Sequence, residues 1–600
     1  MFHNFLEKIY AQRANISRFI NGSNGLLLLI LIFLSIPALA QEEGDELGTE
    51  VVNIVKPYTP TISDAFKVKE TPALNDSVTT TKKKVKYSIF SVPVASTFTP
   101  AKGKATTVEK PNPIELYDNY ATLGFGNYTA VLGEFYSNFQ LSRTDNAGIY
   151  FKHNSSQGEI DGVLLENKYY DTSLDGNYTS RQKDMSYGIN AGIEHQIFHW
   201  YGLNGFFETD TTSFFETIDP KQSYFSAYVS GEISLDESFF EEGKAKLRYL
   251  GDGFSSSEIN FTAQPEFLVP LSEFNLKITG ELDYLNGKFE RDYFNSGSDI
   301  EYGYLNLGLT PALVYVNEDL TLSLGAAVVL GLDTKASATE FFIYPQVNVS
   351  YRLVDELLVA YGGADGDLRQ NTYYNFKTEN PFVSPTLMIM PTSELYNVFG
   401  GLKGKLSNTV GYNIRASYGN EENKALFLIN PYKGRLPDLE GYENGNSFGI
   451  VYDDVNTLDI FGELKVEVSE KFNLGINANF YSYRMTDQPE PWNLPDIKAS
   501  VFSNFNITEK IYGGASVFYL GERTDFFSAT QVGLPVIPVN EIVTLNTFID
   551  VNIHLGYRID ERLSIFAKGS NLLSDNYEKW LFSPVQGIQG LMGATYKFDW

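Results

Sequence analysis

Histidine and cysteine supply many of the nucleophiles, general bases and metal ligands of proteins, and this chain has few of either. It contains no Cys, so it forms neither a disulfide nor a thiolate metal site. Of its five His, His3 lies in an N-terminal export signal. His195 and His199 are four positions apart, which in a strand is about 13 Å and too far to share a metal ion. We interpret them as aromatic side chains at a membrane interface or in a lumen.

A hydrolase of the serine type needs a His that converges with Ser and Asp on an accessible surface. By strand alternation, His554 shares a face with Asn552 and Arg558 close to a predicted turn, which places it inside a lumen, away from the outer rim. The sequence therefore predicts no catalytic residue and no enzyme activity. It also indicates no cofactor site and no metal site.

The segment from Asn420 to Asp454 combines carboxylates with tyrosines. Carboxylate oxygens are preferred ligands of Ca²⁺, and tyrosine rings can stack on sugars or pack on a surface partner. Because the spacing matches no defined cation loop, we interpret the segment as a solvated extracellular loop. Its acidic and aromatic members are Glu421, Glu422, Asp438, Glu440, Glu443, Asp453, Asp454, Tyr432, Tyr442 and Tyr452.

The charge and composition exclude one class of partner. The formal net charge is −28, which is opposite to the basic surface of the usual nucleic-acid-binding protein. Such a charge fits a surface that faces divalent cations or cationic ligands, and it also fits loops that are simply kept soluble. Aromatic residues make up 14% of the chain.

Residues 1–40 have the pattern of a secretory signal peptide. A basic start is followed by the apolar run Gly25–Ile36 and by Ala38-Leu39-Ala40 before Gln41, a small-x-small cleavage pattern. The apolar run is shorter than the roughly 20 residues of a spanning helix. We therefore expect cleavage rather than a signal anchor, with the mature protein starting at Gln41.

Residues 41–118 are rich in Pro, Thr, Lys and Val and bury little apolar surface, which is typical of a flexible periplasmic or lumenal segment. The pieces Glu50–Val55 and Tyr87–Val92 instead have the β-branched or aromatic character of short strands, which can add to the exposed edge of a partner's sheet. The candidate partner-binding strand consists of Glu50, Val51, Val52, Asn53, Ile54 and Val55.

From residue 119 to residue 600 the chain alternates apolar and polar residues in strand-length units. Leu320 to Leu332 and Phe472 to Phe480 each place apolar side chains at every second position, the period of a half-buried strand. Val551, Ile553, Leu555, Tyr557 and Ile559 repeat the pattern. Ten short polar turns separate pairs of such strands, near Thr144, Lys183, Glu237, Glu273, Glu318, Asp355, Asn408, Glu470, Glu509 and Glu561.

Long connections alternate with these turns. They are Leu203–Ser223, Gln370–Ser393, Gly419–Val455 and Thr524–Leu545. Outer-membrane barrels have short turns in the periplasm and long loops outside, whereas a soluble sandwich gives no reason for the alternation. The sequence therefore predicts an all-β, transmembrane antiparallel β-barrel of about 22 strands.

The last ten residues form a strand with an apolar face that ends on an aromatic residue. The strand resembles the C-terminal signal that the barrel-insertion machinery of outer-membrane proteins reads. The predicted insertion signal consists of Met592, Ala594, Tyr596, Phe598 and Trp600.

The stretch before this strand carries an Asn571-Leu572 pair with Asp575 and Tyr577 just after it. This arrangement, followed by a last strand with a terminal aromatic, resembles the end of TonB-dependent receptors, in the style of those from the Bacteroidota. The resemblance implies a barrel in the outer membrane of a Gram-negative bacterium, with residues 41–118 in the periplasm. That segment is too short for the family's complete plug, although Glu50–Val55 faintly resembles the family's energy-coupling box.

These features are consistent with two functions. A plugless barrel can serve as a subunit of an outer-membrane assembly, export or surface complex with periplasmic or surface protein partners. Alternatively, the chain is a transporter or porin-type receptor that takes up a solute. Because barrels of this width are plugged, we expect the lumen to be blocked by residues 41–118, by the loops Gln370–Ser393 and Gly419–Val455, or by a partner. Outer-membrane lipid is an expected partner in either case.

Overall fold

The computed structural model describes residues 117–600, with gaps at 159, 204–214, 434–438, 470 and 532–536. The candidate partner-binding strand Glu50–Val55 lies outside the described residues. The elements in chain order are β1 (Asn119–Gly126), β2 (Val131–Gln140), β3 (Asp145–Ser156), β4 (Tyr169–Arg181), β5 (Met185–His199), β6 (Lys221–Leu235), β7 (Phe240–Asp252), β8 (Ser257–Leu271), β9 (Phe274–Phe289), β10 (Ile300–Val316), β11 (Leu320–Asp333), β12 (Ala338–Val354), β13 (Leu358–Arg369), α1 (Tyr373–Glu379), β14 (Thr392–Ser407), β15 (Val410–Ile429), β16 (Phe448–Ser469), β17 (Phe472–Met485), β18 (Ile497–Asn506), β19 (Ile511–Leu520), β20 (Arg523–Gln531), β21 (Ile537–Leu545), β22 (Phe548–Arg558), β23 (Leu563–Ser570), β24 (Glu578–Trp580), β25 (Ser583–Pro584) and β26 (Gln589–Phe598).

Twenty-two of these strands form one closed antiparallel sheet. Each pairs with the next along the chain, except that β19 pairs with β22 across the hairpin β20–β21, and β23 pairs with β26 across β24–β25. The ring closes where β26 pairs with β1, with Phe598 opposite Asn119 and Met592 opposite Phe125. The predicted fold and strand count are confirmed. Closure leaves the sheet no edge that could pair with another chain.

The side chains of the strands alternate between an apolar outer face and a polar inner one. The outward residues Phe341 and Ile343 are 62% and 65% exposed, and Leu324 and Phe480, which the alternation placed on apolar faces, are also exposed. In a membrane this outer band contacts lipid, and the inner face lines the lumen. No helix within the described ranges is long and apolar enough to span a membrane.

The two ends of the barrel differ as the sequence predicted. The ten predicted turns all fall between paired strands at one end, the periplasmic end. The predicted loop over Gly419–Val455 is too long. Strand β15 continues to Ile429 and β16 begins at Phe448, and Ile429 and Phe448 are paired across the two strands. This extension is packed against other loops, so it lacks the apolar–polar alternation that revealed the other strands.

The principal cluster of buried apolar side chains lies at the extracellular end. It joins the ends of β5–β7, β9, β10, β15 and β16 with the long connections and the hairpin β20–β21. Its largest fully buried members include Trp200, Tyr224, Phe289, Tyr373, Tyr442 and Phe448. The loops therefore have a hydrophobic core of their own, which we call the loop cap.

Candidate functional site

The helix α1 of the loop cap is anchored at its first turn by a carboxylate from the barrel wall. The first amides of a helix have no partner within the helix. Glu258, near the start of β8, accepts hydrogen bonds from the backbone N–H of Tyr373 at 2.6 Å and of Tyr374 at 3.1 Å. It also accepts one from the hydroxyl of Tyr302 at 2.9 Å, and it is only 2% exposed. An anionic group at this end is further stabilised by the helix dipole.

Two side chains of α1 extend this attachment to neighbouring strands. The ring of Tyr373 packs edge-on against Phe289, and its hydroxyl donates to Asp252 at 2.9 Å. The ammonium of Lys377 donates to the side-chain oxygen of Gln196 at 2.5 Å and lies 3.3 Å from Glu194. Burial lowers the pKa of Lys377, while the Glu194 carboxylate opposes that shift. The connection 370–391 thus lies against the lumenal wall of β5, β7 and β8.

The second long connection, 430–447, meets the first through Trp200. The indole N–H of Trp200 donates to the carbonyl of Phe382 at 3.1 Å, and its ring packs against Tyr442. The carbonyl of Trp200 accepts a hydrogen bond from the Asn446 side chain at 2.6 Å. Trp200 directly follows β5, whereas Tyr442 follows β15, almost half the ring of 22 strands away. Contacts of the loop cap therefore cross the mouth of the barrel.

The hairpin β20–β21 joins the loop cap through a buried carboxylate. Asp525 is fully buried and accepts hydrogen bonds from the backbone N–H of Ile429 at 3.0 Å and from the side chain of Asn493 at 2.7 Å. Burial raises the pKa of Asp525 to about 6. The carboxylate therefore links three separate segments of chain.

The final connection, 571–588, completes the loop cap on the far side. Arg523 donates to the backbone carbonyls of Glu578 and Lys579. The ring of Trp580 lies 5.1 Å from that of Phe427 and 5.4 Å from that of Phe448. Loops from around the ring are thus interlocked above the lumen.

The interpretation of Asn420–Asp454 as a solvated loop is wrong. Tyr442 is 1% exposed and Glu443 is 3% exposed, and the Glu443 carboxylate pairs with the ammonium of Lys433 at 2.5 Å. The physical reason is the apolar area of the aromatic rings, which is removed from water when the loops pack together.

The carboxylates of this segment have separate partners instead of converging. Glu421 pairs with Arg369 at 2.8 Å, and Asp453 accepts hydrogen bonds from the backbone N–H of Asp487 and Gln488. Asp438 lies outside the described residues. Across the part of the chain that the structure describes, no three His, Cys, Asp or Glu side chains are grouped so that they could hold a metal ion.

The histidines also lie apart from one another. His195 and His199 share the outward face of β5 with Ile193, which is 49% exposed. The ring of His195 is hydrogen-bonded to the Ser223 hydroxyl at 3.1 Å, and His199 donates to the carbonyl of Lys168 at 2.6 Å. His199 is buried, and its second ring nitrogen lies 3.6 Å from the carboxylate of Glu166, so the two histidines have separate partners.

The structure places the predicted insertion signal on the closing strand. Met592 and Trp600 are 73% and 79% exposed. The ring of Phe598 lies 5.3 Å from that of Trp600 and 6.0 Å from that of Tyr596. Together with Ala594 these residues form one face of β26 and its end, and their recognition by the insertion machinery stays a prediction.

Sequence reasoning missed the residues that hold the loop cap, above all Glu258, Lys377 and Asp525. Each has a partner more than 90 positions away in the chain. One available signal was the pair of adjacent aromatics at Tyr373-Tyr374 and at Phe526-Phe527. Such pairs inside long connections indicate packed rather than solvated loops.

Comparison with known proteins identifies the fold. No protein-family model and no curated protein sequence matches the chain. The structure is similar to the ferripyoverdine receptor of the outer membrane of Pseudomonas aeruginosa, with 14% identity and a TM-score of 0.58 over 82% of this chain and 73% of that one. It is also similar to the FrpB iron transporter from Neisseria meningitidis, with 10% identity and a TM-score of 0.61 over 81% and 82% of the chains.

A third similar structure is the ferric-catecholate import receptor Fiu from E. coli K12, with 9% identity and a TM-score of 0.57 over 80% and 82% of the chains. At these identities the likeness concerns the fold. The fold is that of a large outer-membrane barrel of the TonB-dependent receptor type, which the C-terminal motif predicted. The three similar proteins are two receptors and a transporter.

Proposed function

We propose that this outer-membrane barrel of TonB-dependent receptor type is a plugless subunit of an outer-membrane assembly, export or surface complex. The observation that carries the proposal is the loop cap, which ties loops from opposite sides of the ring into one buried core. A porin needs an open aqueous path. Here Trp200, Tyr373 and Tyr442 are each only 1% exposed, because the loops pack on one another in the loop cap.

The energetics of the loop cap support a stable rather than a transient closure. Glu258 and Asp525 are buried carboxylates whose oxygens accept several hydrogen bonds each. Opening the cap would break these bonds and expose the apolar side chains packed around them to water, which is unfavourable. A subunit that presents a fixed outer surface fits this arrangement.

We also propose that the partner is recognised at the periplasmic side by Glu50–Val55. The segment has an acid followed by β-branched residues, and such a segment can add to an exposed sheet edge through main-chain hydrogen bonds. Proline cannot donate such a bond. Substituting Val52→Pro with Ile54→Pro therefore removes the proposed contact and leaves the barrel sequence unchanged.

The second candidate function is uptake of a solute. It is favoured by the similar structures, which are receptors and transporters that this chain matches over 73–82% of their length. Uptake would require the loop cap to open.

Co-purification in a mild detergent tests the proposal. We expect the full-length protein to retain a fixed set of periplasmic or surface proteins, and the Val52→Pro, Ile54→Pro variant to lose it. A control with Thr79→Pro and Thr81→Pro, in the same segment, should retain the set. A protein that purifies alone from the membrane and restores uptake of a solute to a deletion strain would contradict the proposal and favour the second candidate.

A further inference from the structure

A polar cavity of about 610 Å³ lies on the extracellular rim, and none of its lining residues belongs to the buried core of the loop cap. It is formed by three connections, 127–130 between β1 and β2, 157–168 between β3 and β4, and 571–588 between β23 and β26. The side chains that decide its chemistry are Tyr128, Asp161, Val163, Ser574, Asn576 and Ile588. Its volume is in the range of a small-ligand site.

Three polar groups converge on one point of this cavity. A Cβ placed on Gly587 would lie 3.3 Å from the hydroxyl of Tyr128, 3.7 Å from that of Ser574 and 3.9 Å from the amide oxygen of Asn576. Only a glycine leaves that point open. Within the described ranges, these three side-chain groups have no hydrogen-bond partner in the protein, so their donors and acceptors are available to a ligand.

The backbone around the cavity is strained at several positions. Tyr128, Thr129, Asn571 and Ser574 have positive φ angles of 54°, 49°, 48° and 58°. Side-chain-bearing residues rarely adopt this conformation, and it persists only where the surrounding structure enforces it. At Tyr128 and Thr129 it is the conformation that the two central residues of a tight hairpin turn require, and the N–H of Ala130 donates to the carbonyl of Asn127 at 3.1 Å to close that turn.

A buried hydrogen-bond network enforces this geometry. The carbonyl of Tyr128 accepts from the hydroxyl of Ser156 at 3.1 Å, and that hydroxyl in turn accepts from the side chain of Gln586 at 2.9 Å. The side-chain amide of Asn571 donates to the carbonyls of Asp575 and Gln586, each at 2.8 Å. Ser156, Asn571 and Gln586 are buried. The Asn-Leu motif of the sequence therefore serves here to position the rim of the cavity.

We propose that this cavity binds a saccharide. Its polar groups are two hydroxyls, one carboxamide and the carboxylate of Asp161, which match the alternating donors and acceptors of sugar hydroxyls. Val163 and Ile588 offer apolar contact to the C–H face of a ring. Among the lining residues that the structure describes, none is basic, as a phosphate site would need, and Asp161 is the one carboxylate, whereas Ca²⁺ takes 6–8 oxygen ligands.

Saturation-transfer NMR on the full-length protein, in a detergent without a sugar headgroup, tests the proposal. The probes are glucose, galactose, mannose, N-acetylglucosamine and their disaccharides. A second arm uses the oligosaccharide released from the outer-membrane glycolipid of the source bacterium. Binding in either arm supports the site, and the arm identifies whether the sugar is free or lipid-borne.

Two variants decide whether such binding occurs in this cavity. Gly587→Val fills the convergence point and should weaken binding at least ten-fold, and Tyr128→Phe with Asn576→Ala should do the same by removing two polar groups. Gly590→Val is the matched control, because a Cβ at Gly590 meets no atom within 4 Å. Heat-modifiable migration verifies that each barrel is folded. Absence of binding in both arms, or unchanged binding by both cavity variants, would overturn the proposal.

Discussion

The two ends of the barrel are built by different chemistry. At the periplasmic end the bonds lie within a turn or between neighbouring turns. The carboxylate of Asp560 accepts from the amides of Arg562 and Leu563 at 2.8 and 2.7 Å, and the amide of Lys405 donates to the carbonyl of Glu356 in the adjacent turn at 2.9 Å. At the extracellular end the bonds join distant parts of the chain, as between Glu258 and the amide of Tyr373, 115 positions apart. The first end is a ring of exposed turns that contact their neighbours, and the second is a cooperative buried core.

This difference has a consequence for mutation. Loss of one contact in a cooperative core leaves buried partners without hydrogen bonds, whereas exposed groups at a turn regain water. We therefore expect single substitutions to have large effects in the loop cap and small ones at the turns. The closing strand is the exception at the periplasmic end, because the whole ring depends on it.

The largest effect is expected at that strand. Changing Phe598 and Trp600 both to Asp should abolish accumulation of the folded barrel in the outer membrane. A lipid-facing charge near a membrane interface costs only about 0–1 kcal/mol, so a complete loss would reflect failed recognition by the insertion machinery. Cell fractionation with heat-modifiable migration measures the amount of folded barrel in the outer membrane. The control is Lys597→Gln on the opposite face of β26, and wild-type membrane levels of the double variant would refute the assignment.

The second effect concerns the anchor of α1. Glu258→Ala removes the acceptor for two backbone amides and the Tyr302 hydroxyl, at about 1–3 kcal/mol for each buried donor left unpaired. We expect proteolytic cleavage within 370–391 to accelerate by at least ten-fold while the barrel stays folded. Glu232→Ala, which removes an exposed lumenal carboxylate from β6, is the matched control. Equal cleavage of the two variants would mean that α1 is held by other contacts.

The third effect is a pH dependence of the hairpin β20–β21. The pKa of Asp525 is raised from 3.8 to about 6 in the folded state, so the folded state binds more protons than the unfolded state between these values. Stability from this group is complete below about pH 4 and is lost as pH rises to about 6, on the order of 3 kcal/mol at most.

Asp525→Asn keeps the shape of the side chain and removes its titration. The ratio of hydrogen-exchange protection in the variant to that in the wild type, measured at the hairpin amides, should therefore rise as the pH is raised from about 4 to about 7. Exchange of β22, in the barrel, serves as the internal control. A constant ratio between variant and wild type over this range would show that Asp525 does not titrate there.

The smallest effect is expected at a periplasmic turn. Lys405 and Glu356 form an ion pair at 2.7 Å, but their side chains are 60% and 74% exposed. Exposed ion pairs are screened by solvent and contribute little. Lys405→Gln should leave the unfolding midpoint in detergent unchanged, and a clear decrease would show that the turns are less independent than their local hydrogen bonds indicate.

Prediction from sequence succeeded where the physical signal was local and repeated. The apolar–polar alternation along β11 and β22 follows from contact with lipid on one face and with a wet lumen on the other. The type of each residue therefore indicates which of the two its side chain contacts. It failed over Asn420–Asp454, because residues such as Glu443 and Tyr442 are buried by loops that are distant in sequence. A segment that is buried by distant parts of the chain has no regular apolar–polar period in its sequence.

The sequence by itself determined the barrel, its 22 strands, the side on which the turns lie and the strand that closes the ring. These properties follow from period-two patterning and from turn residues, which act over a few positions. Only the tertiary structure decided that the long loops interlock, that Glu258 and Asp525 anchor them, and that Tyr128, Ser574 and Asn576 meet at Gly587. Those contacts arise because closing the ring brings the ends of strands far apart in sequence to one rim, where aromatic side chains are removed from water by packing on one another.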